Sequence, residues 1–356
     1  MSDIDNWIEI LQCPDCHNKI RFAEGLKRPV VCTNCGRRFE QLQGIWRFLP
    51  SRIFDQEFKD AEKQGWEKKN QQGIAAGWDP PPEHYLNLPH YPHPYYQAAE
   101  WYLNIVLKYC GPWEGKKVLE LGAAECWATR TFAEAGSDAV ALDYDPNRML
   151  KAQVIMDRLP IHFFRLTGDA ECLPFNDNSL DTVFCCSVLH HFFDLEKAVR
   201  EIARTLKPGG KFIGIHEAYH PPYYSKERIL RMSKDTIPNI EAGINESSYT
   251  AGHYRRLFSR AGLRFELLNP VWDTEWKGSS LVVSPGIAVC GNPEYVPRMF
   301  IARSGRRSLI GLISRFILRS GIWRIAATRA VFSRIRFMIL NWTTKEKILI
   351  AEKPFR

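Results

Sequence analysis

Between residues 117 and 216 the chain alternates short apolar runs with longer segments whose apolar residues recur every three to four positions. The runs KVLEL, AVALD, HFFRL, DTVFCCS and KFIGIH are too short for helices. They also lack the apolar-polar alternation of a half-exposed strand, so they read as strands of a parallel sheet buried on both faces. The segments between them read as helices, one ending at Gly136 and one beginning at Pro146. A third begins near Asp194, with Leu195, Ala198, Val199, Ile202, Ala203 and Leu206 on one face, and Lys207-Pro208-Gly209-Gly210 stops it. This alternation predicts an α/β fold with helices on both sides of the sheet. LRFELL after Gly262 and KILIAEKP near the end of the chain supply a sixth and a seventh strand.

Upstream, YYQAAEWYLNIVLKY has helical spacing and ends at Gly111-Pro112. Residues 78–96 pack six prolines among five aromatics, a composition that opposes regular structure and reads as a lid or packing layer. His84, His90 and His93 belong to that layer rather than to a metal site. Residues 51–77 are a charged linker rich in Lys, Glu and Gln, and residues 10–50 show no helical period, reading as a miniature unit of hairpins. The expected division is therefore 1–50, 51–94 and 95–356, with an insertion at about 271–344 between the last two strands.

Composition changes this picture in one place. Apolar residues are 45% and charged residues 25% of 356, which excludes wholesale disorder. The net charge of +8 is local: residues 298–343 hold ten Arg and no acid, and the rest of the chain carries 38 basic and 40 acidic residues. Within that stretch Leu309, Leu312, Ile313, Phe316 and Ile317 share one helical face, and Val331, Phe332, Ile335, Met338, Ile339 and Trp342 another. Three readings stay open for it: helices covering the protein's own core, a hairpin on an anionic membrane surface, or an RNA contact. If the flanking strands are the last two of the sheet, the insertion stands at the carboxyl edge, beside the ligand site. The opening MSDIDNWIEILQ is acidic and unlike a secretory leader. Arg interrupts the longest apolar runs before the roughly 18 residues that a spanning helix needs. The expected location is the cytoplasm, with peripheral attachment to the inner face of a membrane as an option.

Cys13 and Cys16, then Cys32 and Cys35, form two CxxC pairs fifteen residues apart. That spacing is the four-thiolate zinc pattern, two knuckles closing a tetrahedron with no open position, so the expected ion is structural Zn2+.

Four further runs occur in order: VLELGAAECWATRTFAEAG, VALDYDPNRML, GDAECLPFNDNSLDTVFCCSVLHHF and LKPGGKF. Together they resemble the successive motifs of class I S-adenosylmethionine-dependent methyltransferases, nearest to the ubiquinone/menaquinone-biosynthesis type, over about residues 95–270. The cysteine unit is similar to the small zinc ribbons attached to several methyltransferases and to those of partner proteins that activate them. The resemblance implies a Rossmann-like seven-stranded sheet and S-adenosylmethionine as cofactor. It places Gly122, Ala124 and Glu120 toward the methionine end, Asp143 at the ribose hydroxyls with Tyr144 beside it, Asp169 and the backbone of Ala170 at the adenine, and Ser187 at the methionyl group. Where the family prefers glycine this chain has Ala124 and Cys126, and Cys126 is the more awkward beside a cofactor.

Methyl transfer needs alignment more than a strong catalytic motif, but nitrogen and oxygen acceptors can need a base. The best-placed groups are His216, Glu217 and His220 after the fifth strand, while His190 and His191 read as packing at a helix start. No Asn-Pro-Pro-Tyr or Asp-Pro-Pro-Tyr follows the fourth strand, which disfavours the usual amide and DNA-base amino methylators. The leading expectation is a methyltransferase acting on a small-molecule or lipid-linked acceptor. The alternatives are an RNA methyltransferase and a catalytically retired scaffold that binds the cofactor.

Overall fold

The N-terminal unit does not stand wholly apart from the main sheet, because one of its hairpins extends it. In the computed structural model, which describes residues 3–23, 29–268, 274–277, 280–283, 316, 320, 334 and 347–355, β1 (Ile20–Phe22), β2 (Val30–Cys32) and β3 (Arg38–Phe39) form a small antiparallel sheet. β4 (Gln41–Leu42) and β5 (Ile45–Arg47) follow as a hairpin, and then α1 (Gln56–Ala75), α2 (Pro82–Asn87) and α3 (Pro94–Cys110). The alternating region comprises β6 (Lys117–Leu121), α4 (Trp127–Glu134), β7 (Asp138–Asp143), α5 (Pro146–Lys151), α6 (Gln153–Arg158), β8 (Phe164–Thr167), β9 (Leu180–Cys186), α7 (Leu195–Thr205) and β10 (Leu206–Ile215). After it come α8 (Lys226–Leu230), α9 (Thr236–Glu241), α10 (Ala251–Arg260), β11 (Arg264–Leu268), the hairpin β12 (Thr274–Lys277) and β13 (Ser280–Val283), and β14 (Ile348–Glu352).

The strand order is β11-β14-β10-β9-β6-β7-β8-β5-β4. Seven of these nine strands are those read from the sequence. The other two come from the N-terminal unit, because β5 pairs in parallel with β8 through Trp46–Leu166 and Arg47–Thr167 and so covers what would be an open edge. β14 lies antiparallel between β10 and β11. Leu268 at the end of β11 pairs with Ile348 at the start of β14, so the insertion leaves and returns at the carboxyl edge as expected. The Arg-rich stretch itself, with its membrane and RNA readings, lies outside the described residues apart from Phe316, Ser320 and Arg334.

The central strands send alternate residues to two cores. On one face Leu119, Leu142, Leu166 and Val183 pack with α7 and α10, and the same core takes in Trp7, Phe39 and Cys32 of the N-terminal unit. On the other face Val118, Ala141, Phe184 and Ile213 pack under Tyr102 and Val106 of α3 and Phe132 of α4. The helix near Asp194 starts where expected, with Asp194 Oδ1 accepting the Lys197 N–H at 2.8 Å.

Two expectations about residues 51–96 need correction. The charged linker is the 20-residue helix α1, in which Gly65 is the one buried position. A Cβ there would meet Ala242 O at 2.9 Å and Ile244 Cγ1 at 2.7 Å, so glycine permits that close approach. The prolines do not forbid helices either: α2 begins at Pro82 and α3 at Pro94, the first turn, where a missing N–H removes no hydrogen bond. Among the described residues no helix is long and apolar enough to cross a membrane.

Candidate active site

The chain order reverses between β6 and β9, the point at which open α/β sheets form a ligand crevice at their carboxyl ends. A cavity of about 480 Å3 lies there, within the range of small-molecule sites. Its walls hold Glu120, Gly122 and Ala124 from β6 and its turn, Asp143 at the end of β7 and Tyr144 after it, and Asp169 and Ala170 after β8. Ser187 after β9 and His216 after β10 complete the set read from the sequence. Glu217 and His220 do not line it.

The β6–α4 turn bends through three left-handed residues, Gly122 (φ 62°), Ala124 (φ 45°) and Cys126 (φ 57°). A Cβ on Gly122 would stand 2.6 Å from Val188 Cγ2, so that position requires glycine twice over. Cys126 is fully buried in the core and is absent from the cavity wall, so it does not obstruct a ligand. Ala124 retains strain that glycine would relieve. Left-handed backbone disfavours a Cβ by about 1–2 kcal/mol, against an entropic penalty for glycine of roughly 0.5–1 kcal/mol. Ala124→Gly is therefore expected to raise stability by about 0.5–1 kcal/mol, read as a higher denaturation midpoint; a fall would show that the turn is already relaxed.

Asp143 is held by backbone donors: Oδ2 accepts the Ala124 N–H at 2.8 Å and Oδ1 the Asp145 N–H at 2.9 Å. Burial outweighs these bonds and raises its carboxyl above the usual range. Glu120 turns to α4, accepting the Thr129 N–H at 2.6 Å and the Thr129 hydroxyl, and burial pushes its carboxyl up to about 8. It therefore caps α4 from the neighbouring strand as well as facing the cavity.

Sequence reading missed the roof. Lys59 of α1 reaches Asp169 at 2.7 Å and Glu171 at 3.1 Å. Gln56 donates to the Tyr144 hydroxyl at 2.8 Å, and Glu62 accepts the Asn245 N–H at 2.5 Å and meets His191 at 3.2 Å. Burial alone would depress His191, but Glu62 prevails and raises it above the ordinary imidazole value. The signal was present as Lys and Glu three to four residues apart, but α1 has almost no apolar stripe and so looked like a solvated linker.

Glu217 is buried and lies outside the cavity lining. It accepts the Val188 N–H at 2.9 Å and the Leu189 N–H at 3.1 Å and pairs with His190 at 3.1 Å. Burial opposes its charge, yet the His190 contact and these donors hold its carboxyl below the ordinary range. A carboxylate committed in this way braces the turn after β9 rather than meeting a substrate. His220 is engaged with Ser248 Oγ at 3.0 Å, and burial lowers its pKa. Of the three expected bases, His216 alone reaches the cavity wall.

In the N-terminal unit, the sulfurs of Cys13, Cys16, Cys32 and Cys35 lie within 4.8 Å of one another, with Cys13–Cys35 at 3.7 Å and Cys16–Cys32 at 3.4 Å. A tetrahedron with Zn–S bonds of about 2.3 Å has edges of about 3.8 Å, so the set is close to the size of that ion's shell. The Asn34 N–H points at Cys32 Sγ at 3.4 Å. His84, His90 and His93 make no such group: His84 packs on Trp78 and Tyr91, His90 meets Glu100, and His93 accepts the Tyr95 N–H at the start of α3.

A family model described as a methyltransferase domain matches residues 119–214. The chain is 37% identical over 127 residues to a demethylmenaquinone methyltransferase of Renibacterium salmoninarum, covering 36% of this chain and 51% of that one. It is 30% identical over 169 residues to the demethylmenaquinone methyltransferase of Corynebacterium glutamicum, covering 46% and 70%. Among solved structures, YcgJ of Bacillus subtilis aligns with a TM-score of 0.41 and 24% identity over 47% of this chain and 71% of that one. The chain thus spans about half the length of the first of these relatives.

Proposed function

This chain belongs to the class I S-adenosylmethionine-dependent methyltransferases, and from that premise we propose that it methylates a small-molecule or lipid-linked acceptor. The observation that carries the reading is one cavity in which Asp143, Asp169 and the Gly122 turn share walls with His216. The residues present fit the cofactor. Each Asp143 oxygen commits one lone pair to a backbone N–H and keeps another for a ribose hydroxyl. Asp169 and the Ala170 backbone would hold the adenine, with Tyr144 closing the ribose end. Gly122 and Ala124, with Ser187 opposite, would admit the methionyl group.

Bound S-adenosylmethionine supplies an activated methyl group for in-line displacement, which leaves alignment and exclusion of water to the protein. α1 excludes water by closing over the cavity. Phe58, Trp66, Tyr95, Tyr96 and Phe193 give the remaining walls flat apolar faces, which suit a planar, largely apolar acceptor better than a polynucleotide. An acceptor of the kind that the relatives' names indicate, a demethylmenaquinone, belongs to that class and carries ring hydroxyls once reduced to its hydroquinone form. His216 would take the proton of a hydroxyl or amine acceptor. Cys13, Cys16, Cys32 and Cys35 would hold a structural zinc.

The test is calorimetric binding of S-adenosylmethionine, followed by incubation with labelled cofactor and cell extract divided into lipid-soluble, small water-soluble and RNA fractions. Binding, and label in one of the first two fractions, is the expected result. Absence of binding, or label confined to RNA, would overturn the reading.

A further inference from the structure

Ser187 and His216 follow the adjacent parallel strands β9 and β10, and both line the cavity. Each holds left-handed backbone, with φ 57° and 56°, a conformation that residues with a Cβ seldom adopt. Such backbone persists only where its surroundings over-determine it, and here they do. The Ser187 N–H donates to Ile215 O at 3.0 Å, and Glu217 pins the following Val188 and Leu189 amides. The rings of Tyr95 and Tyr102 stand edge-on to the His216 imidazole, with centroids at 5.0 and 6.3 Å.

The Ser187 hydroxyl makes two contacts with His216. Its Oγ is 2.8 Å from the His216 carbonyl oxygen and 2.9 Å from His216 Nδ1. A carbonyl oxygen only accepts, so the single hydroxyl proton is donated there. Toward Nδ1 the same oxygen can then only accept, which requires the proton to sit on Nδ1. Neutral imidazole carries one N–H, so its basic lone pair is on Nε2.

We propose that Ser187 is a positioning residue that fixes the Nδ1–H tautomer of His216 and thereby makes Nε2 the nitrogen that takes the acceptor's proton. The proposal rests on the reading of the cavity as a transfer site. The proton leaves the acceptor's O–H or N–H for Nε2, the electron pair of that bond stays on the acceptor atom, and His216 becomes an imidazolium. The Nδ1–H bond to Ser187 serves both charge states and strengthens as charge develops, so no group has to turn during the step.

Histidine labelled with 15N in the full chain, with S-adenosylhomocysteine added as the probe ligand, gives the tautomer from long-range 1H–15N correlations, and His216→Gln identifies the signal. Above the imidazole titration, wild-type His216 is expected to show a protonated Nδ1 and an unprotonated Nε2. Ser187→Gly, which suits the positive φ, is expected to shift it to a mixture containing Nε2–H, with Ser187→Ala as the second variant. A wild-type Nε2–H tautomer, or a tautomer unmoved by either variant, overturns the proposal. The base reading stands or falls separately, on methyl incorporation into the extract fraction that takes label. A loss on the order of a hundredfold in His216→Gln supports it, and wild-type incorporation sinks it without altering the tautomer result. With His216 as base, Ser187→Gly is expected to lower kcat on the order of tenfold and to change the shape of the pH profile.

Discussion

Cys32→Ser is expected to strip the metal from the protein and to weaken cofactor binding at a site on a different part of the chain. The first half follows from chemistry: four thiolates close a zinc shell, three leave it open, and apparent binding energies of about 10–16 kcal/mol in zinc-finger peptides are folding energy for the unit concerned. The second half follows from packing. β5 is hydrogen-bonded along β8, whose following residues are Gly168 and Asp169. The Gln12 N–H donates to Pro174 O and the Asn176 N–H to Ile10 O, so the unit also grips the loop that begins with Asp169. Cys13 and Cys32 belong to the same core as Phe164 and Leu166. Freshly reduced wild-type protein should contain one zinc per chain by elemental analysis. The variant should lose it, expose β8 amides to hydrogen exchange and bind S-adenosylmethionine more weakly. Wild-type protein free of zinc would overturn the metal assignment, and a zinc-free variant with unchanged exchange at β8 would overturn the coupling.

Asp143→Ala is expected to weaken S-adenosylmethionine binding by about 1.5–3 kcal/mol, the usual loss for a charged acceptor deprived of its donors, or roughly ten- to a hundredfold in Kd. The structure adds a second source of loss. The same carboxylate holds the Ala124 and Asp145 N–H groups, so truncation also frees the turn that would face the methionyl group. Asp143→Asn keeps one oxygen acceptor and should lose less, which separates the charge from the scaffold. Calorimetry on both variants beside the wild type decides the matter. Equal affinity in all three would remove Asp143 from the site.

Sequence by itself determined the sheet and its chemistry-bearing corners. The buried strands wrote themselves as unbroken apolar runs, because a parallel strand covered on both faces has no polar side to show. Asp143, Asp169, Ser187 and His216 were legible because each stands at the end of such a run or one or two residues beyond it, where chain order alone places it at the carboxyl edge. The cysteine spacing was equally plain, since two CxxC knuckles carry their geometry locally. What only the tertiary structure decided depends on contacts far apart in sequence. α1 became the roof because polar side chains such as Lys59 and Glu62 found partners 110 and 183 residues away, and no hydrophobic period announces a helix held in that manner. The N-terminal hairpin became part of the main sheet because β8 offered a bare edge, which its own sequence does not reveal. Glu217 and His216 are neighbours in the chain, yet one is buried against the Val188 and Leu189 amides and the other lines the cavity. Which of two adjacent polar residues meets the ligand depends on the left-handed backbone at His216, and that conformation is imposed by the packing around it.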